Sequence, residues 1–336
     1  MRIDHIDTNR QIFIVAEIGN NHEGDFVLAQ DMIHLAAEAG ADAVKFQTFR
    51  PEFLSGGDEA RSLRLKKFQL SYEQFGELSK IANSKKLIFF STPFDLESAK
   101  VLNGIQPVFK IASSDNDHQP LIKQVAHFVK PLIVSTGLAT LDLVARLEKD
   151  VREIWATYKK DPGLALLHCV SSYPTPVEQA NLKAISVIKE VFPSCVAGYS
   201  DHTSGINAVL GAVSLGARII EKHFTINKQY STFRDHQFSA DPLDLQEMVT
   251  RIREIDLMLG DERKTTQLSE VANEAALRRS AAAGRDLSAG HVLRDKDLMW
   301  VRPGTGIRWE ERDRLLGYSL NRPLKYAELI RKGDLT

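Results

Sequence analysis

IFIVAEI, Ile12–Ile18, is an almost unbroken apolar run of strand length, interrupted only by Glu17. Such runs are what parallel strands covered on both faces look like. Seven more follow along the chain: Ala43–Thr48, Ile88–Phe94, Pro107–Ser113, Pro131–Gly137, Leu164–Val170, Cys195–Ser200 and Arg218–Thr225. The segments between them carry helical periodicity. Phe26–Ala39 places Val27, Met32, Leu35 and Ala39 near one face, and Leu121–Phe128, Leu141–Tyr158, Leu182–Val191 and Ile206–Leu215 behave alike. Pro242–Leu259 has Asp241 as N-cap, Pro242 at the first helical position and Gly260 after its end. Eight β–α units in about 260 residues predict a (β/α)₈ TIM barrel. The runner-up, an open doubly wound sheet, lacks a G-x-G-x-x-G after its first strand.

The pattern changes near residue 261. We divide the 336 residues into a barrel at 1–262, a polar linker at 263–276 and a small module at 277–336. In the module, Arg285–Gly290, Leu298–Pro303 and Gly304–Gly306 read as short strands and turns. Sixty residues is marginal for an independent core, so the module is expected to lean on the barrel or on a partner chain. It holds thirteen basic and eight acidic residues, net +5, against −6 for the remainder. The two parts should therefore attract, within one chain or between two. Overall net charge is −1, which points to neither nucleic acid nor membrane. Met1–Arg10 is not a signal-peptide core, no apolar run has membrane length, and two cysteines make no disulfide framework. A reduced, cytoplasmic protein is expected.

Barrel chemistry gathers at the C-terminal ends of strands. Three kinds of group recur there. Lys45 and Lys110 sit inside apolar runs, where lysine is rarely buried without a partner. With hydroxyls at Thr92, Ser113, Ser135 and Ser200 they suit a phosphate or phosphate-plus-carboxylate ligand. As purely structural bridges, Lys45 would instead pair with Glu17 and Lys110 with Asp115. His202 and His223 close strands seven and eight, neighbours in a barrel, and can share a divalent ion; His22 and His168 compete as ligands. The carboxylates Glu17, Glu23, Asp115 and Asp235 are acid–base groups or partners of the lysines. The loop Asn227–Asp241, with Arg234, Asp235 and His236, reads as a lid or an ordinary solvated loop.

AEIGNNHEG (16–24), VKFQT (44–48), STPF (91–94), FKIASSD (109–115), LLHCVSSYPTP (166–176), GYSDHT (198–203) and EKHFT (221–225) together resemble the sialic acid synthase family. SAAAGRDLSAGHVLRDKDLMWVRPGTGI (280–307) resembles its C-terminal SAF domain, related to type III antifreeze protein. The resemblance implies condensation of phosphoenolpyruvate with an N-acyl amino-sugar aldehyde, giving a nine-carbon 2-keto sugar acid and phosphate. It implies His202 and His223 as ligands of Mn²⁺, with Mg²⁺ or Co²⁺ as alternatives. It places phosphoenolpyruvate against Lys45, Thr92, Lys110, Ser113, Ser135, Ser171, Tyr173 and Ser200. It places the sugar against Glu17, Gln47, Asp115, Asp235 and Arg302, the last reaching the partner's site in a domain-swapped homodimer. Glu17, Lys45, Lys110, Asp115 and Asp235 are the implied catalytic groups. Two departures fall where the sugar is expected. Asp115 stands where the family commonly has glutamate, and FRDHQFSADP (233–242) is one residue longer than the family string that supplies Asp235's counterpart.

Two other functions compete. A barrel of the same type could make a shorter keto acid, as 3-deoxy-heptulosonate or octulosonate phosphate synthases do. A non-catalytic sugar-binding protein could use the SAF module alone, but it would leave the strand-end lysines and histidines without a purpose.

Overall fold

The computed structural model describes residues 1–336. The chain forms two compact units, Met1–Gly260 and Asp261–Thr336. In the first, eight parallel strands stand where the apolar runs predict them. They are β1 Phe13–Gly19, β2 Ala43–Thr48, β3 Ile88–Pro93, β4 Phe109–Ile111, β5 Leu132–Ser135, β6 Leu164–Cys169, β7 Val196–Asp201 and β8 Ile219–His223. β8 returns to β1 with His223 opposite Glu17, which rolls the sheet into a barrel. Every strand is hydrogen-bonded to the next except β3 and β4. Those two lie side by side. At that seam the Ser91 N–H donates to the side-chain oxygen of Gln106 at 2.8 Å. The barrel is thus closed there by a side chain.

Residues alternate inward and outward along each strand. The outward set, including Ile14, Val44, Phe89, Val134, Leu166 and Ile220, packs under the helices. The inward set divides by height. Toward the strand N-termini it is apolar: Phe13, Val15, Ala43, Ile88, Phe90, Val108, Ile133, Ala165, Leu167 and Ile219. Ile3 and Ile6, from the short hairpin Arg2–Ile3/Ile6–Asp7, join this floor. Toward the C-termini the same faces turn polar. β7 needs a glycine in the floor: a Cβ on Gly198 would lie 2.3 Å from Leu167 Cδ2 and 2.6 Å from the Ile219 carbonyl oxygen.

The predicted helices form within a few residues of their expected bounds, at Phe26–Glu38, Gln119–His127, Leu141–Thr157, Ala184–Val191, Asn207–Ser214 and Pro242–Leu259. Asp241 caps the last by accepting from the Leu243 and Asp244 N–H groups at 3.1 and 3.0 Å, and the helix stops at Gly260. Four further helices, Pro51–Ser55, Glu59–Phe68, Tyr72–Ser84 and Leu96–Leu102, lie outside the periodic stretches read from sequence. Glu59–Phe68 is half charged and buries only Phe68, so it carries no apolar stripe to read. No helix is long and apolar enough to cross a membrane.

The stretch read as linker, 263–276, is largely helical: Leu268–Leu277, capped by reciprocal bonds between Gln267 and Glu270. The module also has its own core, built from Ala281, Ala283, Leu287, Leu293, Ile307, Leu315, Leu320, Leu324 and Ile330. Its regular sheet is one antiparallel pair, β9 Ser280–Ala283 and β10 Leu298–Val301. Arg285–Gly290 contributes only the single bridge Leu287–Leu324. Asp297 is fully buried and acts as a knot. It accepts from Arg285, from His291 and from the Arg294 N–H. Burial alone would raise its carboxyl, but these donors hold it down at about 2.

Gly198→Ala is expected to lower the stability of the barrel unit by about 1–3 kcal/mol, the usual effect of overpacking. The urea midpoint of the full chain should fall with little change in slope.

Candidate active site

The polar upper half of the barrel interior encloses a cavity of about 370 Å³. Strand alternation and register put its residues there. Lys45 lies opposite Glu17 across β1 and β2, and Glu221 opposite Ser200 across β7 and β8. A bulge between Glu17 and Gly19 re-aims the end of β1. Gly19 has φ of +54°, and a Cβ there would come within 3.1 Å of both Gln47 Nε2 and Glu17 Oε1.

Four charges meet at the bottom. Lys45 Nζ is 2.8 Å from Glu17 Oε2, 3.7 Å from Glu221 Oε1 and 3.1 Å from Thr92 Oγ1. Lys110 Nζ donates to Ser135 Oγ at 2.7 Å and to the Ile111 carbonyl at 3.2 Å, and lies 3.8 Å from Glu221 Oε1. Ser200 Oγ donates to the same Glu221 oxygen at 3.0 Å. Gln47 Nε2 donates to Glu17 Oε1 at 3.0 Å, and Asn20 Nδ2 to Gln47 Oε1 at 2.9 Å. All four charged side chains are buried. Burial would depress the Lys45 amine, but Glu17 and Glu221 hold it above its ordinary value. Burial prevails at Lys110 and pushes its amine down. Burial also prevails at Glu17 and raises its carboxyl, whereas at Glu221 the two lysines overcome burial and lower it.

On one side of these charges the cavity wall is hydroxyl-rich. Ser113 Oγ accepts from the Gly137 N–H at 3.1 Å, and Ser171 Oγ is buried with no partner. On another side stand the imidazoles of His202 and His223, ring centroids 5.4 Å apart. His202 Nδ1 donates to the Val170 carbonyl at 2.8 Å, which leaves Nε2 for a ligand. His223 Nδ1 is buried without a hydrogen-bond partner. No group of three or more His, Cys, Asp or Glu side chains is arranged to hold an ion. Two imidazoles, one anchored and one orphaned, fit a divalent ion that takes its remaining ligands from water or substrate oxygens. Tyr173, Arg234, Asp235 and Arg61 line the cavity as well, with Arg234 5.1 Å above the Tyr173 ring. Asp235 Oδ1 is 3.7 Å from Arg234 Nε, and burial raises its carboxyl.

Of the sequence-derived candidates, Glu17, Lys45, Gln47, Thr92, Lys110, Ser113, Ser135, Ser171, Tyr173, Ser200, His202, His223 and Asp235 all line this one cavity. Asp115 does not; it ends the turn Ser113–Asp115 after β4 and bonds Ser114. Arg302 is exposed on the second unit. The purely structural pairing of Lys110 with Asp115 is absent, while that of Lys45 with Glu17 is present. His22 instead packs on Phe46. His168 donates to the Ala180 carbonyl at 2.8 Å and lines a separate cavity between the helices Leu141–Thr157 and Ala184–Val191. The loop 227–241 contains a four-residue helix, Asp235–Phe238, and brings Arg234 and Asp235 to the cavity wall. Glu221 carried no assigned role in the sequence reading, yet it touches both lysines. Its signal was the period of two that puts residues 219, 221 and 223 on one face. Cys169 and Arg61 also line the cavity unassigned.

Comparison with known proteins gives a consistent picture. The NeuB family model matches residues 32–264 and the SAF domain model residues 278–336. The N,N'-diacetyllegionaminic acid synthase of Campylobacter jejuni is 36% identical, over 96% of this chain and 100% of that one. The pseudaminic acid synthase of the same organism is 32% identical over 99% of each chain. Among solved structures, the N-acetylneuraminic acid synthetase of Leptospira borgpetersenii, crystallised with citrate, superposes with a TM-score of 0.76 at 35% identity. That match covers 81% of this chain and 94% of the other.

Lys110→Met is expected to weaken binding of inorganic phosphate at least about tenfold, the loss of one charge-assisted hydrogen bond. Thermal stability should fall, because Glu221 loses one of its two ammonium partners and two buried carboxylates are left with one cation. Titration calorimetry and thermal unfolding of the two proteins check both parts.

Proposed function

This chain belongs to the NeuB family of sialic-acid-type synthases, and we propose that it condenses phosphoenolpyruvate with an N-acyl amino-sugar aldehyde of the N-acetylmannosamine or 6-deoxy diacetamido hexose class. The product is a nine-carbon 2-keto sugar acid, released with inorganic phosphate. The observation that carries the reading is the pair Lys45 and Lys110, buried over an apolar floor and surrounded by hydroxyls. Two ammonium groups buried in a low-dielectric surround attract an anion more strongly than they would at the surface. Lys45 and Lys110 offset the phosphate and carboxylate charge. Thr92, Ser113, Ser135, Ser171, Tyr173 and Ser200 supply donors around it.

The metal in this reading is Mn²⁺, with Mg²⁺ or Co²⁺ as alternatives, held by His202 and His223; when bound it would polarise the acceptor aldehyde. The remaining work falls to the chain. C3 of phosphoenolpyruvate forms the new bond to the aldehyde carbon as the C2=C3 and carbonyl double bonds open; the former aldehyde oxygen becomes a hydroxyl with the proton that the attacking water gives up, and C2 is left electron-poor. Water adds at C2, and the bond from C2 to the phosphate oxygen then breaks. Glu17 is placed to take the proton from that water. Burial raises its carboxyl above the ordinary value, which makes the carboxylate a stronger proton acceptor. Gln47 holds Glu17 in place through the 3.0 Å bond. Asp235 and Arg234 face the acceptor from the lid. Asp115, outside the cavity wall, acts on the acceptor only if the turn that carries it shifts.

We include a homodimer in which Arg302 of one chain reads the acyl group in the partner's site. Arg302→Ala is then expected to raise the acceptor KM about tenfold or more, with the phosphoenolpyruvate KM unchanged. Steady-state kinetics with each substrate varied separately decide it.

The direct test follows phosphate release from phosphoenolpyruvate with Mn²⁺, N-acetylmannosamine and di-N-acetylated 6-deoxy hexoses, with mass spectrometry of the product. A product equal in mass to acceptor plus pyruvate is expected, its formation abolished by chelator. Glu17→Gln should reduce turnover by about 10²–10⁴, the usual contribution of a positioned base. Near wild-type turnover in that variant would remove Glu17 from the mechanism.

A further inference from the structure

A metal-binding imidazole is normally aimed by a hydrogen bond from its second nitrogen. His202 follows this rule through the Val170 carbonyl at 2.8 Å. His223 does not, since its Nδ1 is buried with no partner. The second torsion of a histidine side chain has a broad energy well, so an unanchored ring needs another restraint. The neighbours of His223 are rings. Phe238 meets it edge-on with centroids 5.0 Å apart and an interplanar angle of 67°. Phe238 also meets His202 at 6.2 Å and Tyr173 at 5.6 Å, and is 2% exposed.

The backbone explains why a residue so far along the chain reaches this place. The loop after β8 turns back on the strand end it left. The Ala240 N–H donates to the carbonyl of His223 itself at 2.8 Å, and the Thr225 N–H to that of Ala240 at 2.9 Å. Ser239 is pinned by Asn21 Nδ2 at 3.0 Å. Two residues before Ala240, the side chain of Phe238 closes over the imidazoles. It ends the same short helix whose first residue, Asp235, lines the cavity.

We infer that Phe238 is a positioning residue for the metal site: its ring, in place of a hydrogen bond, fixes the plane of His223. This rests on the reading of His202 and His223 as metal ligands. It also joins two functions in one helix. Whatever moves Asp235 against a substrate moves the ring that aims a ligand of the metal. An edge-on aromatic contact is worth about 0.5–1.5 kcal/mol beyond its buried area. A single ring is therefore enough to bias an imidazole.

The test is Mn²⁺ binding to the full-length protein by calorimetry and by electron paramagnetic resonance of free Mn²⁺, with inorganic phosphate binding measured on the same samples. Phe238→Ala is expected to weaken Mn²⁺ about 10–100-fold, as loss of an orienting partner does. Its phosphate affinity should stay within about twofold of wild type, because Lys45 and Lys110 are untouched. Phe238→Leu, which keeps bulk but not the ring plane, should fall between the two and covers the case in which the alanine variant does not fold. In a His223→Ala background, Phe238→Ala should change residual Mn²⁺ binding no further. Wild-type Mn²⁺ affinity in the leucine variant would overturn the role of the ring. So would an equal loss of phosphate and Mn²⁺ binding in the variants. Wild-type Mn²⁺ binding in His223→Ala alone would instead remove the metal reading on which the inference stands.

Discussion

The contact between Lys45 and Glu17, shared through Glu221 with Lys110, is the constraint from which the rest of the barrel follows. Moving one ion into a protein interior carries a penalty of several kcal/mol even after relaxation. Here two ammonium and two carboxylate groups sit inside a β-barrel. The arrangement holds because each charge has an opposite partner within 3.8 Å and hydroxyls or amides beyond it. It also needs a closed bottom. The apolar floor from Phe13 to Ile219, with Ile3 and Ile6 beneath, supplies one. The outcome is a set of charges that is stable beside a wall that is not fully satisfied: Ser171 Oγ remains without a partner. A site left in that condition is built for what will occupy it.

Much of this was legible in the sequence because strands obey a simple rule. A period of two, with an apolar floor and a polar top, marks Lys45, Lys110, Ser135, Ser200 and His223 as inward and high. All eight strands could be placed from their apolar runs. What escaped has specific causes. Glu221 was visible on the same face as His223, but nothing in one strand reveals which lysines of other strands will meet it. Phe238 reads as an ordinary apolar residue in a polar loop, and its position depends on a backbone bond to β8 that no local pattern announces. The helix Glu59–Phe68 lacks an apolar stripe, so periodicity is silent there. The helix Leu268–Leu277 leaves no residue buried and resembles a linker for the same reason.

The two units are held together internally by opposite means. The barrel derives its order from regular ladders and a large apolar layer under its helices. The C-terminal unit has one short regular strand pair and a few isolated bridges. Its substitutes are buried carboxylates that tie loops directly. Asp297 gathers Arg285, His291 and the Arg294 backbone, and Asp334 gathers Arg322 and the Arg331 backbone. A module stabilised in this way can vary its exposed side chains while the knots keep its loops in register.

The seam between β3 and β4 has a consequence for how such a barrel can change over time. Seven of its joints are backbone ladders, where an inserted residue would shift every side chain beyond it to the wrong face. The eighth is bridged by Gln106, a side chain with rotatable bonds. Length changes in the segment leading into β4 can be absorbed there without breaking a register. Thr92 and Lys110 flank that joint, so the anion-holding wall stands beside the most adjustable hinge in the ring. Divergence of substrate choice has a ready mechanical route through it, one that leaves the other seven joints alone.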